Sequence, residues 1–148
     1  MVTIYTDGSS RGNPGPGGFG TILTFKNFRK EISQGFIRTT NNRMELLAVI
    51  AGLEALKTPG QDVLVVSDSK YVVDSVEKKW VFGWEKKNFK DKKNPDLWKR
   101  YLDIHRQHNV RFKWVKGHAG HPQNERCDQL AVEAAEGNNL IPDEGFNG

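Results

Sequence analysis

The segment that most restricts the fold is DVLVV at residues 62–66, a short uninterrupted apolar run rich in valine. Such a run is typical of a β-strand buried on both faces, as the inner strands of parallel sheets are. Apolar residues at helical spacing precede it over residues 46–56 and end at Pro59, and helical spacing resumes at Tyr71. Because helices flank this strand in the sequence, we expect an α/β fold with a parallel pair of strands at its centre.

The other segments predict a mixed sheet. Residues 2–6 and 19–25 alternate in the strand manner around the wide loop RGNPGPGG, which indicates an antiparallel hairpin. The helical crossover before 62–66 makes that strand a parallel neighbour of the first. Further strands are predicted at residues 30–37, at the sheet edge, and at 110–115, and further helices at 95–105 and from Pro122 onward.

Length and cysteine content limit the organisation and the compartment. A chain of 148 residues suffices for one sizeable core, so a single domain is expected over 1–148, with a C-terminal tail at 137–148. We expect no membrane segment and no secretory signal, since residues 1–7 lack a basic start and a long apolar stretch. Cys127 is the sole cysteine and cannot form an internal disulfide, which agrees with a cytoplasmic protein.

The positive charge is concentrated in one segment. Residues 78–93 hold seven lysines beside two acids, although the whole chain has a net charge of only +4. Such a block is often a solvated helix face, but this one also carries four large aromatic residues that need a core or a stacking partner. The block therefore predicts a basic protrusion that binds a polyanion.

Two of the predicted parallel strands end in an aspartate followed by small residues. Asp7 follows the first strand and Asp68 follows the strand at 62–66. Each has an ordinary explanation, because Asp-Gly is a common turn and Asp68 could cap the next helix. Parallel neighbours would nevertheless bring both carboxylates to the carboxyl edge of the sheet, where open α/β folds bind ligands.

Two further acids border the apolar stripes of predicted helices. Glu45 lies early in the helix that begins near Asn41, where the helix dipole is an alternative reason for an acid, and Asp128 lies on the final helix beside Asn124. Convergence of these two acids with Asp7 and Asp68 would be strongly repulsive without a cation. All-oxygen ligands favour Mg²⁺ or Mn²⁺.

A glycine-punctuated loop before the last helix carries His118 and His121. A neutral imidazole beside a metal site is suited to moving protons near pH 7. A zinc site formed by these histidines with Cys127 and Asp128 is the alternative, although the spacing fits no common zinc pattern. His121 could also be a loop histidine without a role.

Four segments carry a family resemblance: YTDGSSRGNPGPGG at 5–18, TTNNRMEL at 39–46, VSDSKYV at 66–72 and WVKGHAGHPQNERCDQLA at 114–131. Together they closely resemble type 1 ribonuclease H of bacteria, in order and spacing, from about residue 2 to residue 136. The resemblance implies a five-stranded mixed sheet and an endonuclease that cuts the RNA strand of RNA/DNA hybrids with two divalent metals, leaving 5'-phosphate and 3'-hydroxyl ends. It also implies that the metal-binding carboxylates are Asp7, Glu45, Asp68 and Asp128, with His118 as the loop histidine.

The resemblance further implies a substrate-binding surface. The amides of Asn13, Asn41 and Asn42 would read 2'-hydroxyl groups in the minor groove. Arg38 and Thr40 match a pocket for a phosphate of the DNA strand. The aromatic residues of the protrusion that match are Trp80 and Trp84, and its lysines, including Lys86 and Lys87, would contact phosphates without sequence preference.

The chain departs from the family pattern before the protrusion and within it. Lys70 stands where glutamine is common, Glu85 where lysine is common and Phe89 where tryptophan is common. We expect a monomer without a separate hybrid-binding domain. Two alternatives are a catalytically silent module that only binds hybrids or double-stranded RNA, and a related-fold nuclease, transposase or integrase with another substrate.

Overall fold

A computed structural model describes residues 1–117 and 120–147 and centres on a six-stranded mixed sheet in the order β5-β4-β1-β2-β3-β6. The strands are β1 (Val2–Ser10), β2 (Gly15–Phe25), β3 (Phe28–Thr39), β4 (Asp62–Ser67), β5 (Asn109–Trp114) and β6 (Leu140–Ile141). The helices are α1 (Asn41–Glu54), α2 (Lys70–Glu77), α3 (Trp80–Lys86), α4 (Pro95–His105) and α5 (Pro122–Glu136). The α/β class and the mixed sheet are confirmed.

The prediction of five strands is wrong by one. The sixth strand, β6, has two residues and pairs in parallel with Gly35 and Phe36 of β3. Two residues are too few to show the alternation by which strands are recognised in a sequence. Because β6 covers part of β3, that strand is not the edge that the sequence predicted.

The predicted parallel pair lies at the centre of the sheet. β1 pairs in parallel with β4, in a register that sets Tyr5 opposite Val66, and β4 pairs in parallel with β5. On its other side β1 is antiparallel to β2, which is antiparallel to β3. Three parallel strands therefore end at one edge of the sheet.

Helices α1 and α5 cover opposite faces of the sheet. On one face, Thr21 Oγ1 donates a hydrogen bond of 2.7 Å to the carbonyl of Ala48 in α1. On the other face, Tyr5 and Ile22 pack against Cys127 of α5. Since each helix meets the central strands β1 and β2, residues on both helices can reach the end of β1.

The basic segment 78–93 is attached to the core through its aromatic residues. Phe89 is buried, and Trp84 packs edge-on against the fully buried Trp98 of α4, with 6.0 Å between ring centroids. Glu85 accepts a hydrogen bond of 2.5 Å from Arg106. Most of the aromatic residues in this segment thus serve the core, and the large exposed ring is that of Trp80, 48% exposed.

The C-terminal segment is held against the N-terminal end of α1. The Asp143 carboxylate accepts hydrogen bonds from Thr39 Oγ1, at 2.6 Å, and from Arg43 Nε, at 2.7 Å. Arg43 is 1% exposed and also contacts both carboxylate oxygens of Asp96 in α4, at 2.9 and 2.7 Å. The tail, α1 and α4 therefore meet at one buried guanidinium. Within the described ranges no helix combines the length and apolarity that a membrane crossing requires.

Candidate active site

The carboxylates of Asp7 and Asp68 lie where parallel pairing between β1 and β4 ends. The β1–β4 register, continued two residues past Tyr5 and Val66, places Asp7 level with Asp68. The backbone N–H of Gly8 donates to Asp7 Oδ1 at 2.9 Å. The capping explanation for Asp68 is wrong, because Ser69 caps α2 by accepting a hydrogen bond from the N–H of Val72.

Glu45 approaches the same point from α1. Thr40 caps this helix, so Glu45 is its fifth residue and the first turn contains no acid. The helix dipole therefore does not explain an acid at this position, because that effect is confined to the first turn. The side chain is nevertheless buried, at 6% exposure, which is unusual for a glutamate without a cationic partner.

Glycine allows β1 and α1 to touch at their backbones beside these acids. A Cβ on Gly8 would lie 2.4 Å from the backbone nitrogen of Glu45 and 2.5 Å from the carbonyl carbon of Met44. Any other residue at position 8 would therefore push α1 away from β1. A similar contact holds α5, since a Cβ on Gly20 would lie 2.3 Å from the carbonyl oxygen of Cys127, next to Asp128.

The three acids from β1, α1 and the end of β4 form one cluster. Asp7, Glu45 and Asp68 each offer a carboxylate oxygen, and these oxygens all lie within 4.8 Å of one another. Burial, followed by the charges of Asp68 and Asp128, raises the pKa of Asp7 to about 7. Burial, followed by the charges of Asp7 and Asp68, raises the pKa of Glu45 well above its ordinary value. The cluster is therefore electrostatically unfavourable on its own.

The donor set of this cluster fits a hard divalent cation. Glu45 Oε1 and Asp68 Oδ1 are buried and have no hydrogen-bond partner among the described residues. Buried carboxylate oxygens without partners are rare because their desolvation is uncompensated. A cation coordinated by oxygen would satisfy them, and Mg²⁺ and Mn²⁺ prefer such ligands.

Asp128 lies beside this cluster rather than within it. It lines a narrow cleft together with Asp7, Asp68 and Asn124, and its charge contributes to the raised pKa of Asp7. Its oxygens are not among those that lie within 4.8 Å of one another. Asn124 donates to the carbonyl of Val66 at 3.3 Å, which ties α5 to the end of β4.

The structure describes only one of the two loop histidines. His118 lies outside the described residues, so its predicted role stays a prediction. His121 is exposed, precedes α5 and lines the cleft that contains Asp7 and Asp128. The zinc alternative is disfavoured because Cys127 is buried among Ile22 and Leu130, and burial raises the pKa of its thiol far above neutrality.

The predicted asparagines lie together at the N-terminal end of α1. Asn13 Oδ1 accepts a hydrogen bond of 2.8 Å from the backbone N–H of Asn41. The glycine-rich loop is thereby fixed beside the first turn of the helix. Asn13 and Asn42 line an open groove of about 540 Å³, which also includes Thr40 and Asn94.

Thr40 lines the same groove, and Arg38 contacts Phe146, another residue of its lining. Arg38 is exposed, and its guanidinium lies over the ring of Phe146, 5.4 Å from the centroid. Thr40 lines the groove, and its hydroxyl accepts a hydrogen bond of 3.3 Å from the N–H of Arg43. Thr40 is therefore both a helix cap and a groove residue.

The predicted residues of the protrusion divide into exposed and anchored ones. Trp80, Lys86 and Lys87 are exposed, whereas Trp84 is half-buried against Trp98. Trp80 and Trp84 line a hollow of about 330 Å³ that shares Lys93 with the groove of the asparagines. The protrusion and the groove are thus neighbouring parts of one surface.

Sequence reasoning missed three residues near the site. Arg43 lies on the buried face of α1, three residues before Leu46. A charged residue on a buried helix face indicates a buried ion pair. Trp114 is 41% exposed, and its Nε1–H donates to the carbonyl of Asp68 at 3.0 Å. The Lys70 ammonium lies over its ring, 4.8 Å from the centroid. Asn94 lines the groove, but nothing in its local sequence distinguishes it from a helix-capping asparagine.

A mixed α/β sheet with buried carboxylates clustered at the ends of its parallel strands, next to a groove and a lysine-rich protrusion, defines a nuclease. Comparison with known proteins agrees. The RNase H family model matches residues 1–136. The ribonuclease H of Desulforamulus reducens is 56% identical over 144 residues, which cover 94% of this chain and 90% of that protein. The chain belongs to the ribonuclease H family.

Solved structures show the same fold. LC9-RNase H1, described as a type 1 RNase H with the type 2 active-site motif, is 36% identical and superposes with a TM-score of 0.82, covering 91% of this chain and 72% of that one. LC11-RNase H1 in complex with an RNA/DNA hybrid is 28% identical with a TM-score of 0.70, covering 92% and 97%. The α/β ribonuclease H fold that the resemblance implied is confirmed, with six strands instead of five.

Proposed function

We propose that this chain is a metal-dependent endoribonuclease that hydrolyses the RNA strand of RNA/DNA hybrids. The observation that carries the proposal is the cluster of Asp7, Glu45 and Asp68, whose buried oxygens lack partners and whose repulsion a cation would relieve. The relative LC11-RNase H1, which has been solved with an RNA/DNA hybrid, supports the substrate class.

The residues proposed to hold Mg²⁺, with Mn²⁺ as a substitute, are the cluster and the adjacent Asp128. Two ions bound there would supply an activated water and neutralise the charge that develops on the phosphate. Asp7 would be the central ligand of this set, since the charges of Asp68 and Asp128 both raise its pKa. His118 is proposed to help protons or products leave, and the products are expected to carry 5'-phosphate and 3'-hydroxyl ends.

The chain's own residues are proposed to bind the two strands differently. Asn13, Asn41 and Asn42 stand together at the start of α1, where amides can donate to and accept from 2'-hydroxyl groups of the RNA strand. Arg38 and Thr40 are proposed to bind a phosphate of the DNA strand. Trp80 and Trp84 would pack on deoxyribose, and Lys86 and Lys87 would contact phosphates.

We also propose that the enzyme works as a monomer, because α1, α5 and the strands of one chain bring together all four carboxylates. Size-exclusion chromatography with light scattering at the assay concentration tests this. A cytoplasmic location remains a prediction from the single cysteine.

Cleavage assays with three labelled duplexes in Mg²⁺ test the proposed function. We expect the RNA strand of RNA/DNA to be cut, RNA/RNA and DNA/DNA to remain intact, and the Asp7→Asn variant to bind the hybrid without cutting it. Hybrid binding without cleavage by the wild type would indicate a silent binding module. Cleavage of DNA/DNA instead would indicate a related-fold nuclease with another substrate.

A further inference from the structure

The C-terminal segment reaches the proposed substrate groove and is fixed there at several points. Gln34 Nε2 donates to the carbonyl of Asn139 at 2.7 Å, and Leu140 begins the pairing of β6 with β3. Three residues later, the carboxylate of Asp143 is bound by Thr39 and Arg43. These contacts hold the segment alongside the end of β3, which carries Arg38.

Phe146 stands at the end of this anchored segment. Its backbone N–H donates to the carbonyl of Asp143 at 3.1 Å, which turns the chain toward the groove. The half-buried ring lies 5.4 Å from the guanidinium carbon of Arg38 and 5.7 Å from that of Arg43. Phe146 also lines the groove together with Asn13 and Asn42.

The two guanidiniums that meet this ring have different environments. Arg43 is buried and bound to two carboxylates, so it is fixed regardless of Phe146. Arg38 is exposed at the end of β3, and an exposed arginine side chain loses considerable rotamer entropy when it becomes ordered. The Phe146 ring over the Arg38 guanidinium is therefore one of the restraints on the rotamers that this side chain samples.

Stacking is compatible with binding a phosphate. A cation–π contact does not itself use the N–H donors of the guanidinium, and phosphate oxygens are bound by those N–H groups. An arginine that is already oriented loses less of this entropy when substrate binds, which increases affinity without new contacts.

We propose that Phe146, which lines the groove, is a positioning residue for substrate binding that helps to hold the neighbouring Arg38 guanidinium in the orientation that receives a backbone phosphate of the hybrid. This inference rests on the proposed function, because it assumes that the groove binds a hybrid duplex. It assigns the C-terminal segment to the substrate site, through the stack of Phe146 on Arg38.

Binding of a fluorescently labelled RNA/DNA hybrid in EDTA tests this independently of cleavage, with KM and kcat in Mg²⁺ as a second measurement. For Phe146→Ala we expect Kd and KM to rise about 2- to 5-fold, within the range expected when one additional long side chain must be ordered on binding, with kcat unchanged. Phe146→Tyr keeps the aromatic face and should restore wild-type values. Phe146→Leu keeps apolar volume without that face and should behave like Phe146→Ala.

A double variant identifies the residue through which Phe146 acts. On an Arg38→Ala background, Phe146→Ala should cause no further rise in Kd. Phe28→Ala, which removes an exposed ring at the β2–β3 turn, is the matched control and should leave Kd unchanged. Wild-type affinity in Phe146→Leu, or an undiminished effect on the Arg38→Ala background, would overturn the inference. A wild type that binds no hybrid would refute the proposed function itself and this inference with it.

Discussion

Arg43 Nε, in the first turn of α1, donates a hydrogen bond of 2.7 Å to Asp143 Oδ2, a residue 100 positions later in the chain. The side chain of Asp143 is only 6% exposed, and that of Arg43 only 2%. The bond therefore joins the helix that carries Glu45 to the C-terminal segment through a largely dehydrated ion pair.

Removal of this guanidinium should strongly destabilise the fold. Arg43→Ala would leave the carboxylates of Asp143 and Asp96 without their cation, and breaking a buried pair in this way costs about 3–5 kcal/mol. Because Asp96 is partly exposed, we expect a loss near the lower end of that range in urea unfolding. Arg100→Ala is the control, since its pair with Glu54 is exposed and should contribute less than about 1 kcal/mol. Equal losses in the two variants would contradict the buried role of Arg43.

Asp7→Asn should stabilise the metal-free protein while abolishing cleavage. The pKa of Asp7 is raised from 3.8 to about 7, so the folded state holds this proton more tightly than the unfolded state. The contribution of this carboxyl to stability is therefore complete below pH 4 and is lost as the pH rises through 7.

Thermal melts in EDTA should show this pH dependence. At pH 8 we expect Asp7→Asn to melt at least about 2 °C above the wild type, a shift that corresponds to about 1 kcal/mol for a chain of this size. The difference should shrink as the pH falls toward 4. An Asp7→Asn protein less stable than the wild type at pH 8 would argue against mutual repulsion in the cluster.

Mg²⁺ should raise the melting temperature of the wild type. A ligand that binds only the folded state stabilises it by an amount that grows with the logarithm of ligand concentration, about 1.4 kcal/mol at ten times Kd. Glu45→Gln, which removes one ionisable carboxyl group from the cluster, should shift much less across the same Mg²⁺ titration. Glu54→Gln changes a partly exposed acid on the same helix and should keep the full shift. A wild type whose melting does not respond to Mg²⁺ would refute the proposed metal site.

The exposed lysines of the protrusion should contribute to hybrid binding by neutralising phosphates. Replacement of Lys86, Lys87 and Lys90 by alanine should weaken binding and lower the slope of log K against log[salt] by up to about 0.9 for each phosphate that is no longer neutralised, with little change in maximal rate. A triple variant of Lys26, Lys30 and Lys57, which lie at the opposite end of the sheet, is the control and should leave the slope unchanged. An unchanged slope in the first variant would make its lysines a solvated face only.

Alanine substitutions of Trp80 and Trp84 should affect hybrid binding and thermal stability differently. Trp80 is 48% exposed, so Trp80→Ala should weaken hybrid binding with a nearly unchanged melting temperature. Trp84 packs on the buried Trp98, and Trp84→Ala should lower both hybrid affinity and the melting temperature. Fluorescence anisotropy and thermal melts of the same preparations measure both quantities. Wild-type affinity in Trp80→Ala would show that the Trp80 ring does not contact the hybrid.

Patterns of residues that are close in sequence predicted most of the fold. The valine run at 62–66 and the helical spacing before it were sufficient to place β4 beside β1, and Pro95 marked the start of α4. Both features depend on burial and capping, which act over a few residues. β6 was missed because its two residues are ordered by contacts with β3 and not by their own pattern.

Only part of the candidate site could be predicted from the sequence. Strand order brought Asp7 and Asp68 together, since parallel neighbours end at one edge. The sequence suggested that Asp128 joins them equally, whereas it lies beside the triplet. Arg43 bore a recognisable signal as a charge on a buried stripe, but its partner Asp143 lies 100 residues away and has no local signature.

The backbone contact between Gly8 and α1 sets the distance between the acids more directly than the packing of the core does. Since the Gly8 backbone itself meets the nitrogen of Glu45, the interval between Asp7 and Glu45 is set at this point by two main chains in contact. We therefore expect changes of size at Leu53, two turns further along α1, to lower the stability while moving Asp7 and Glu45 little relative to each other. We therefore expect interior positions to tolerate changes of side-chain size better than position 8 does. At position 8 a single added methyl group would change the distance between Asp7 and Glu45, on which the proposed cation binding depends.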